Sequence, residues 1–162
     1  MMIIGVDNGV TGSISAITDD GTYFYPVPTK KEQSYTKTRQ NITRIDYSEL
    51  LAILVGWTLF EKGTCYIERP YANPVGFKAT VSAMRALEAT LIAIERAGLP
   101  YEYIDSKQWQ KNMLPTDIKG TAELKKASVD IGCRLFPQHA EAIRKHKDAD
   151  SLLIVEWVRR NL

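Results

Sequence analysis

The sequence predicts an α/β domain with a five-stranded mixed sheet flanked by helices. Short apolar runs separated by turn residues fill the start of the chain, as is typical of antiparallel strands. Helical segments then alternate with two further short strands, which favours parallel pairing. At 162 residues, the chain is expected to form one domain, residues 1–162, with a sizeable core.

The first three strands are predicted to form an antiparallel meander. Residues 2–7 and 12–18 are apolar runs joined by a glycine-containing turn. A second turn at 19–21 leads into a third strand that Pro26 helps to end. Residues 29–44 are polar, basic and without apolar periodicity, so we predict a mobile loop there.

Helices and two more strands account for the rest of the chain. Strands are predicted at TCYIE and YEYID, and helices over residues 46–60, 77–97, 106–114, 121–135 and 148–160. Asp46 or Ser48 is expected to cap the first helix, and Thr121 the fourth. Alanines recur at helical spacing on the longest helix, which indicates either close helix contact or simply high helix propensity. Trp109 is interpreted as a core residue rather than a base-stacking one.

Composition predicts a globular protein of the cytoplasm. Apolar residues make up 44% and charged residues 25% of the chain, and no window has the uncharged length of a membrane span. The first residues lack the basic start of a signal peptide. Cys65 and Cys133 have no metal-ligand spacing, which fits reduced thiols. We therefore expect no membrane partner.

The distribution of charge is more informative than the net charge of +2. Basic residues concentrate in three segments: Lys30, Lys31, Lys37, Arg39 and Arg44; Lys107, Lys111, Lys119, Lys125 and Lys126; and Arg144, Lys145 and Lys147. Each segment alone is typical of solvated surface. Together they favour a polyanionic partner such as nucleic acid.

The stretch IGVDNGVTGS at residues 4–13 has three interpretations. Its glycines could let backbone amides approach a phosphate. Its aspartate, Asp7, could be a metal ligand presented at the end of a strand. Asn-Gly between apolar runs is also the commonest signal of an ordinary hairpin turn.

Two further acids favour the metal interpretation. Glu68 ends the fourth predicted strand, and Asp150 lies at the start of the last helix on its largely apolar face. An acid on an inward face is costly unless it is paired or bound to metal. Carboxylate oxygens suit Mg²⁺ or Mn²⁺, and two such ions about 3.5–4 Å apart can promote phosphodiester hydrolysis. Separately, each acid could be a turn residue, an edge charge or a favourable helix start.

These residues also carry a family resemblance. The segments IIGVDNGVTGSIS, CYIERPY and KDADSLLIVEW resemble RuvC-type Holliday junction resolvases of phage or bacteria, within the ribonuclease H-like superfamily. The resemblance implies a homodimeric endonuclease that binds four-way DNA junctions and nicks two opposed strands symmetrically. It places the catalytic and metal-binding acids at Asp7, Glu68 and Asp150, and a base-stacking aromatic residue at Tyr71.

The basic residues match the family less closely. Gln110 and Leu124 occupy the places of two family lysines. The next residue in each case is a lysine, and these two, Lys111 and Lys125, are the candidate phosphate-binding residues. The segment 29–44 has no clear family counterpart. We expect it either to contact DNA or to be a disordered surface loop, and its candidate DNA-binding residues are Lys30, Lys31 and Arg39.

The fourth active-site group is either His146 or Asp148. A helix that covered 146–150 would place His146 and Asp150 on one face and Asp148 roughly opposite. A helix that began at Asp148 would use that residue as its N-cap. Both cases favour His146, as a metal ligand or as a base that orients water, over a metal-binding Asp148.

Three other functions compete with junction resolution. Actin-like ATPases and sugar kinases open with a similar aspartate and glycine turn, but they need a second domain of comparable size. A nuclease of the same fold could act on flaps or on ribosomal RNA precursors. A third alternative is a catalytically inactive module that only binds junctions. A resolvase is expected in the cytosol of a bacterium or of a phage-infected host.

Overall fold

The computed structural model describes residues 1–162. It contains seven strands: β1 (Met2–Val6), β2 (Ser13–Thr18), β3 (Gly21–Pro26), β4 (Thr29–Gln33), β5 (Asn41–Ile45), β6 (Gly63–Glu68) and β7 (Tyr101–Ile104). It contains six α-helices: α1 (Tyr47–Thr58), α2 (Phe77–Arg96), α3 (Ser106–Met113), α4 (Thr121–Leu135), α5 (Ala140–His146) and α6 (Asp150–Asn161). No helix combines the length and the hydropathy needed to cross a membrane.

The main sheet has five strands in the order β3-β2-β1-β6-β7. Strand β2 is antiparallel to both β1 and β3, whereas β6 is parallel to both β1 and β7. The predicted fold class, a mixed five-stranded α/β sheet flanked by helices, is therefore confirmed.

Each face of the sheet carries its own hydrophobic core. Because successive strand residues point to opposite faces, Ile4 packs with Leu50 of α1 and Ile94 of α2, whereas Ile3 packs with Leu153 of α6 and Trp109 of α3. Helix α6 is almost entirely buried along the second face. The same alternation decides which face receives the acids at the strand ends.

The predicted loop over residues 29–44 is wrong, because β4 and β5 pair there as an antiparallel hairpin. We call Thr29–Ile45 the basic hairpin. Lys30 and Arg44 lie opposite each other across its two strands, and Glu32 forms ion pairs with both. The hairpin is anchored at its base by Ile45, which is buried in the core. We predicted a loop because the segment lacks apolar periodicity. The two strands are instead stabilised by cross-strand pairing and by the buried side chain of Ile45.

The helix starts differ from the predictions in two places. Asp46 caps α1 as predicted, with its carboxylate accepting a hydrogen bond from the Glu49 N–H. Thr121 is the first residue of α4 rather than its cap, which is Gly120. The last helix begins at Asp150, not at Asp148.

A short helix that the sequence did not predict precedes α6. Residues 137–139 form a 3-10 turn that leads into α5, and α5 ends at His146. Lys147 then adopts a left-handed conformation with φ of 65°, which separates α5 from α6. Gly132 of α4 permits this arrangement, because a Cβ there would lie 2.4 Å from the Ala149 side chain.

The alanines of α2 are divided between the surface, where Ala79 is exposed, and the core. Ala86 and Ala93 are buried within the chain's own core. The apolar side chains that α2 exposes are Phe77, Met84 and Ile92. The buried alanines therefore fit the predicted close helix contact, which they make with α1 inside the chain.

Candidate active site

Strand alternation and register bring Asp7 and Glu68 to one edge of the sheet. The parallel register pairs Val6 with Ile67, so the next residues of both strands lie side by side. Val6 and Ile67 belong to the core under α1 and α2, so their successors face α6 on the other side. The start of α6 is thereby placed against both acids.

The turn after β1 holds the Asp7 backbone closely. The Asp7 N–H donates to the Ser13 carbonyl at 3.0 Å, and a Cβ at Gly12 would lie 2.0 Å from the Asp7 carbonyl oxygen. Only glycine fits at position 12 for this reason. The amide of Asn8 donates to the Ala83 carbonyl at 3.2 Å, which ties the same turn to α2. The turn is thus a hairpin connection that also presents an acid.

Three carboxylates meet at this edge. Asp7, Asp148 and Asp150 each offer a ligand oxygen, and these oxygens all lie within 4.8 Å of one another. We call these three residues the acid cluster. Glu68 lies close enough for its charge to be repelled by Asp148 and Asp150. Of the three acids that the family resemblance places in the active site, Asp7 and Asp150 are therefore in the cluster and Glu68 lies next to it.

Asp148 enters the cluster because α5 and α6 are separate helices. Its side chain is only 2% exposed, and Oδ1 accepts a hydrogen bond from the Asp150 N–H at 2.7 Å. Oδ2 pairs with Lys125 Nζ at 3.3 Å. The prediction that Asp148 lies on the opposite side of a helix from Asp150 is wrong, because no continuous helix covers residues 146–150. Asp148 supports the start of α6 and still lies among the acids.

Asp7, Glu68 and Asp150 hold protons more tightly than ordinary carboxyls. Burial, followed by the charges of Asp148, Asp150 and Glu68, raises the pKa of Asp7 well above its usual value. Burial and the Asp150 charge raise the pKa of Glu68 to about 7. Burial and Asp148 raise the pKa of Asp150 to about 6. Mutual repulsion in a poorly solvated site explains these directions, and a nearby cation would relieve it.

Lys125 is the cation that the chain places nearest to the cluster. Burial alone would lower its pKa, but the charges of Asp148, Asp7 and Asp150, together with the hydrogen bond to Asp148, outweigh burial and raise that pKa. Its side chain is half exposed, so it reaches the acids from the solvent side. One lysine against four acids leaves net negative charge. Hard carboxylate oxygens with unbalanced charge fit a divalent cation such as Mg²⁺ or Mn²⁺.

Neutral donors orient two of the acids. The indole Nε1–H of Trp109 donates to Glu68 Oε2 at 3.1 Å, and the Ser128 hydroxyl donates to Asp150 Oδ1 at 2.5 Å. The prediction that Trp109 is a core residue is confirmed, since it is fully buried. Its contact with Glu68 was not predicted, although a buried indole N–H usually has a partner. No sequence signal distinguishes Ser128.

His146 lies beside the cluster at the end of α5. Its Nε2 atom is buried and has no hydrogen-bond partner, and its ring meets the edge of Phe24 with centroids 5.9 Å apart. Burial lowers the pKa of His146, while the Asp148 charge opposes that shift. The ring is therefore near enough to Asp148 to feel its charge, and burial disfavours its charged form.

The predicted DNA-binding residues lie on the surface. Tyr71 follows Glu68 in the loop after β6, and 82% of it is exposed. Lys111 is exposed on α3. Lys30 is paired with Glu32, whereas Lys31 and Arg39 are exposed on the basic hairpin. Two further exposed apolar residues follow Tyr71, and the sequence did not single them out: Val75 in the same loop and Phe77 at the start of α2.

Comparison with known proteins gives a fold but no sequence family. No protein-family model matches the chain. No curated protein matches it in sequence. Among solved structures, it is similar to T. thermophilus RuvC in complex with Holliday junction substrate, with a TM-score of 0.56 and 13% identity over 99% of this chain and 95% of that one. The Thermus thermophilus RuvC structure gives a TM-score of 0.48 and 14% identity over 99% and 96%. The first similarity shows that the chain has the ribonuclease H-like fold.

Proposed function

We propose that this protein is a metal-dependent endodeoxyribonuclease that resolves four-way DNA junctions by paired, symmetric nicks. The observation that carries the proposal is the acid cluster, with Glu68 beside it, at the edge of a ribonuclease H-like sheet. The similar solved structure is a RuvC bound to a Holliday junction substrate. A bacterial or phage origin, and hence the cytosol of a bacterium or an infected host, fits this function.

Asp7, Asp148, Asp150 and Glu68 are the residues that would hold Mg²⁺ or Mn²⁺. Two such ions would activate water and stabilise the leaving oxygen of the phosphodiester. The protein's own contribution is to keep four oxygen donors close together before any ion arrives. The raised pKa values of Asp7, Asp150 and Glu68 fit acids gathered closely enough to repel one another, and a bound cation would relieve that repulsion.

His146 is proposed as a base that accepts a proton from attacking water. Burial lowers its pKa, so its imidazole is neutral near neutral pH and can accept a proton. Its Nε2 atom is free of hydrogen bonds within the chain. Asp148 is the better candidate for the fourth metal ligand, because its carboxylate already lies with those of Asp7 and Asp150.

Basic and aromatic side chains around the site would bind the DNA. Lys111 and the exposed hairpin residues Lys31 and Arg39 would contact phosphates, with Lys30 contributing when it leaves Glu32. Lys125 would move from Asp148 towards a phosphate once metal ions neutralise the acids. Tyr71 would stack on an unpaired base at the junction centre.

A homodimer with α2 at its interface would supply two matched sites. A four-way junction is approximately two-fold symmetric, and paired nicks on opposed strands need two active sites related by that symmetry. The exposed apolar residues Phe77, Met84 and Ile92 provide a contact surface along α2. Arg85 and Glu88, one turn apart on the exposed side, could form reciprocal ion pairs between antiparallel copies.

The deciding experiment is a cleavage assay with a mobile-core four-way junction in Mg²⁺. Matched duplex, flap and ribosomal RNA precursor substrates serve as controls, and sedimentation is measured with and without the junction. Paired nicks on the junction by a dimer support the proposal. Preference for flaps or RNA, or a monomer in every state, would favour the simpler nuclease, and tight binding without cleavage would favour an inactive binding module.

A further inference from the structure

Two site acids receive hydrogen bonds from fully buried, uncharged side chains on different helices. Trp109 of α3 donates to Glu68 at 3.1 Å, and Ser128 of α4 donates to Asp150 at 2.5 Å. Both donors have 0% solvent exposure. Asp148 differs, because its side-chain partner is the charged, half-exposed Lys125.

We propose that Trp109 and Ser128 are positioning residues, which fix Glu68 and Asp150 in the orientations that bind the divalent cation. The inference rests on the proposed function, because it assigns these acids to a metal site. Each donor bonds to one oxygen of its acid only. The hydrogen bond to one oxygen fixes the orientation of the whole carboxylate. The second oxygen accepts no side-chain hydrogen bond and is left to bind the cation.

Trp109 is suited to this role because an indole N–H can donate but cannot accept a hydrogen bond or bind a metal ion. Its helix is held rigidly at its start, where Asp105 and Gln108 form a capping box. Arg69, the residue after Glu68, donates to Asp105 at 2.8 Å. Two contacts therefore join the end of β6 to α3: Trp109 with Glu68, and Arg69 with Asp105.

Ser128 is held by a second hydrogen bond that sets the direction of its hydroxyl proton. The Ala149 N–H donates to Ser128 Oγ at 3.2 Å, so the serine oxygen accepts from the backbone before α6. Its own proton is then available to Asp150. Ser128 thus connects α4 to the first turn of α6 and fixes the acid side chain at the same time.

The absence of charge on both donors matters for metal binding. A cationic donor supplies positive charge that a metal ion must displace, as Lys125 does beside Asp148. A neutral N–H or O–H orients a carboxylate while leaving its full negative charge for the ion. Groups that orient metal ligands in this way typically contribute about 10–100-fold to metal affinity or activity.

The test is the affinity of the metal-free protein for Mn²⁺, measured by isothermal titration calorimetry without DNA. Trp109→Phe removes the N–H and keeps an aromatic ring, and Ser128→Ala removes only the hydroxyl. Each variant is expected to bind Mn²⁺ about 10–100-fold more weakly than the wild type. Junction cleavage should fall with it, and excess Mn²⁺ should restore much of the rate.

The chain offers matched controls for both substitutions. Trp57→Phe makes the same change in a tryptophan that stacks with Tyr25 away from the acids. Ser151→Ala removes another buried hydroxyl, which bonds to Ser13 and Ser15 rather than to a carboxylate. Both control variants are expected to keep the Mn²⁺ affinity of the wild type.

A double-mutant cycle separates positioning from a general packing role. In a Glu68→Gln background, Trp109→Phe should have little further effect on Mn²⁺ affinity, and Ser128→Ala should behave likewise with Asp150→Asn. An undiminished effect in those backgrounds, or unchanged affinity in the single variants, overturns the proposal. Wild-type protein that binds no Mn²⁺ removes the proposed function itself. If circular dichroism shows that Trp109→Phe is unfolded, the Ser128 cycle decides the question.

Discussion

The acid cluster and the basic hairpin are built on opposite physical principles. Asp148 is buried, and the carboxylates of Asp148 and Asp150 are held by the Asp150 N–H, Ser128 and Lys125. The hairpin projects as a separate two-stranded sheet, and its lysines and arginines are exposed apart from the pairs with Glu32. Under the proposed function, cleavage depends on fixed geometry at the acids, whereas affinity for DNA depends on the number and sign of exposed charges. Mutations of the acids should therefore reduce the cleavage rate, whereas mutations in the hairpin should reduce the affinity for DNA.

The largest effect is expected from neutralising the acids. Asp7→Asn, Glu68→Gln and Asp150→Asn should each abolish junction cleavage, because each removes a carboxylate charge from the proposed metal site. Junction binding, measured by electrophoretic mobility shift, should survive, since affinity comes mainly from phosphate contacts elsewhere. Parallel loss of binding and cleavage would point to a role in folding instead.

The next effect separates Asp148 from His146. Asp148→Asn keeps an oxygen that can accept from the Asp150 N–H but removes the charge, and it should slow cleavage by about 100-fold or more, or about 3 kcal/mol in the barrier. His146→Ala should slow cleavage less, because that ring lies beside the acids rather than among them. Single-turnover rates at saturating protein give the comparison, and a larger loss from His146→Ala would make the histidine the essential group.

Changes in the basic hairpin should reduce affinity without changing the cleavage rate of bound DNA. Lys31→Ala combined with Arg39→Ala removes two exposed charges, and each lost phosphate contact should lower the slope of log affinity against log salt by about 0.9. Lys62→Ala combined with Arg96→Ala is the matched control, because it removes two exposed charges at the sheet end opposite Glu68, where β6 begins and α2 ends. Equal losses from the control would show that only net charge matters.

Tyr71→Ala should act selectively on branched DNA. Base stacking contributes roughly 1–3 kcal/mol per base, so the affinity for a junction should fall about tenfold while the affinity for a duplex stays the same. Phe60→Ala removes another exposed aromatic ring, one that follows α1 before the start of β6, and serves as its control. A fall of the same size on duplex DNA would rule out stacking at the junction centre.

The smallest effect concerns the stability of the metal-free protein. The pKa values of Asp150 and Glu68 are raised to about 6 and about 7, so the folded chain keeps protons that the unfolded chain has released. Stability from these groups should therefore fall as pH rises from about 4 to about 7, and stay low above that range.

Thermal melting in EDTA at about pH 5.5 and about pH 8 measures this effect. Asp150→Asn should gain a few degrees relative to the wild type at the higher pH and much less at the lower one. Mg²⁺ should raise the melting temperature of the wild type at high pH, because it neutralises the acids. A constant difference between the two proteins at both pH values would contradict the raised pKa values.

The sequence determined the features that depend on local patterning. Short apolar runs bounded by turn residues predicted the strands of the main sheet, and Asp7 and Glu68 were identified as acids at the ends of two of these strands. The inward face of the last helix identified Asp150, and local capping chemistry limited the cap of the first helix to Asp46 or Ser48. Each of these follows from residues a few positions apart, because strand and helix periods assign a side chain to one face.

Only the tertiary structure decided the features that depend on distant segments. Asp148 joined the acids because Gly132 of α4 lets the turn before α6 pack closely, and no residue near position 148 signals that contact. Trp109 and Ser128 became hydrogen-bond donors to the acids through packing of α3 and α4 against α6. The basic hairpin formed through cross-strand pairs and the buried anchor Ile45 rather than through an apolar repeat. Contacts between residues far apart in the chain leave no periodic pattern, so the sequence supplied the charged groups and the fold set their positions.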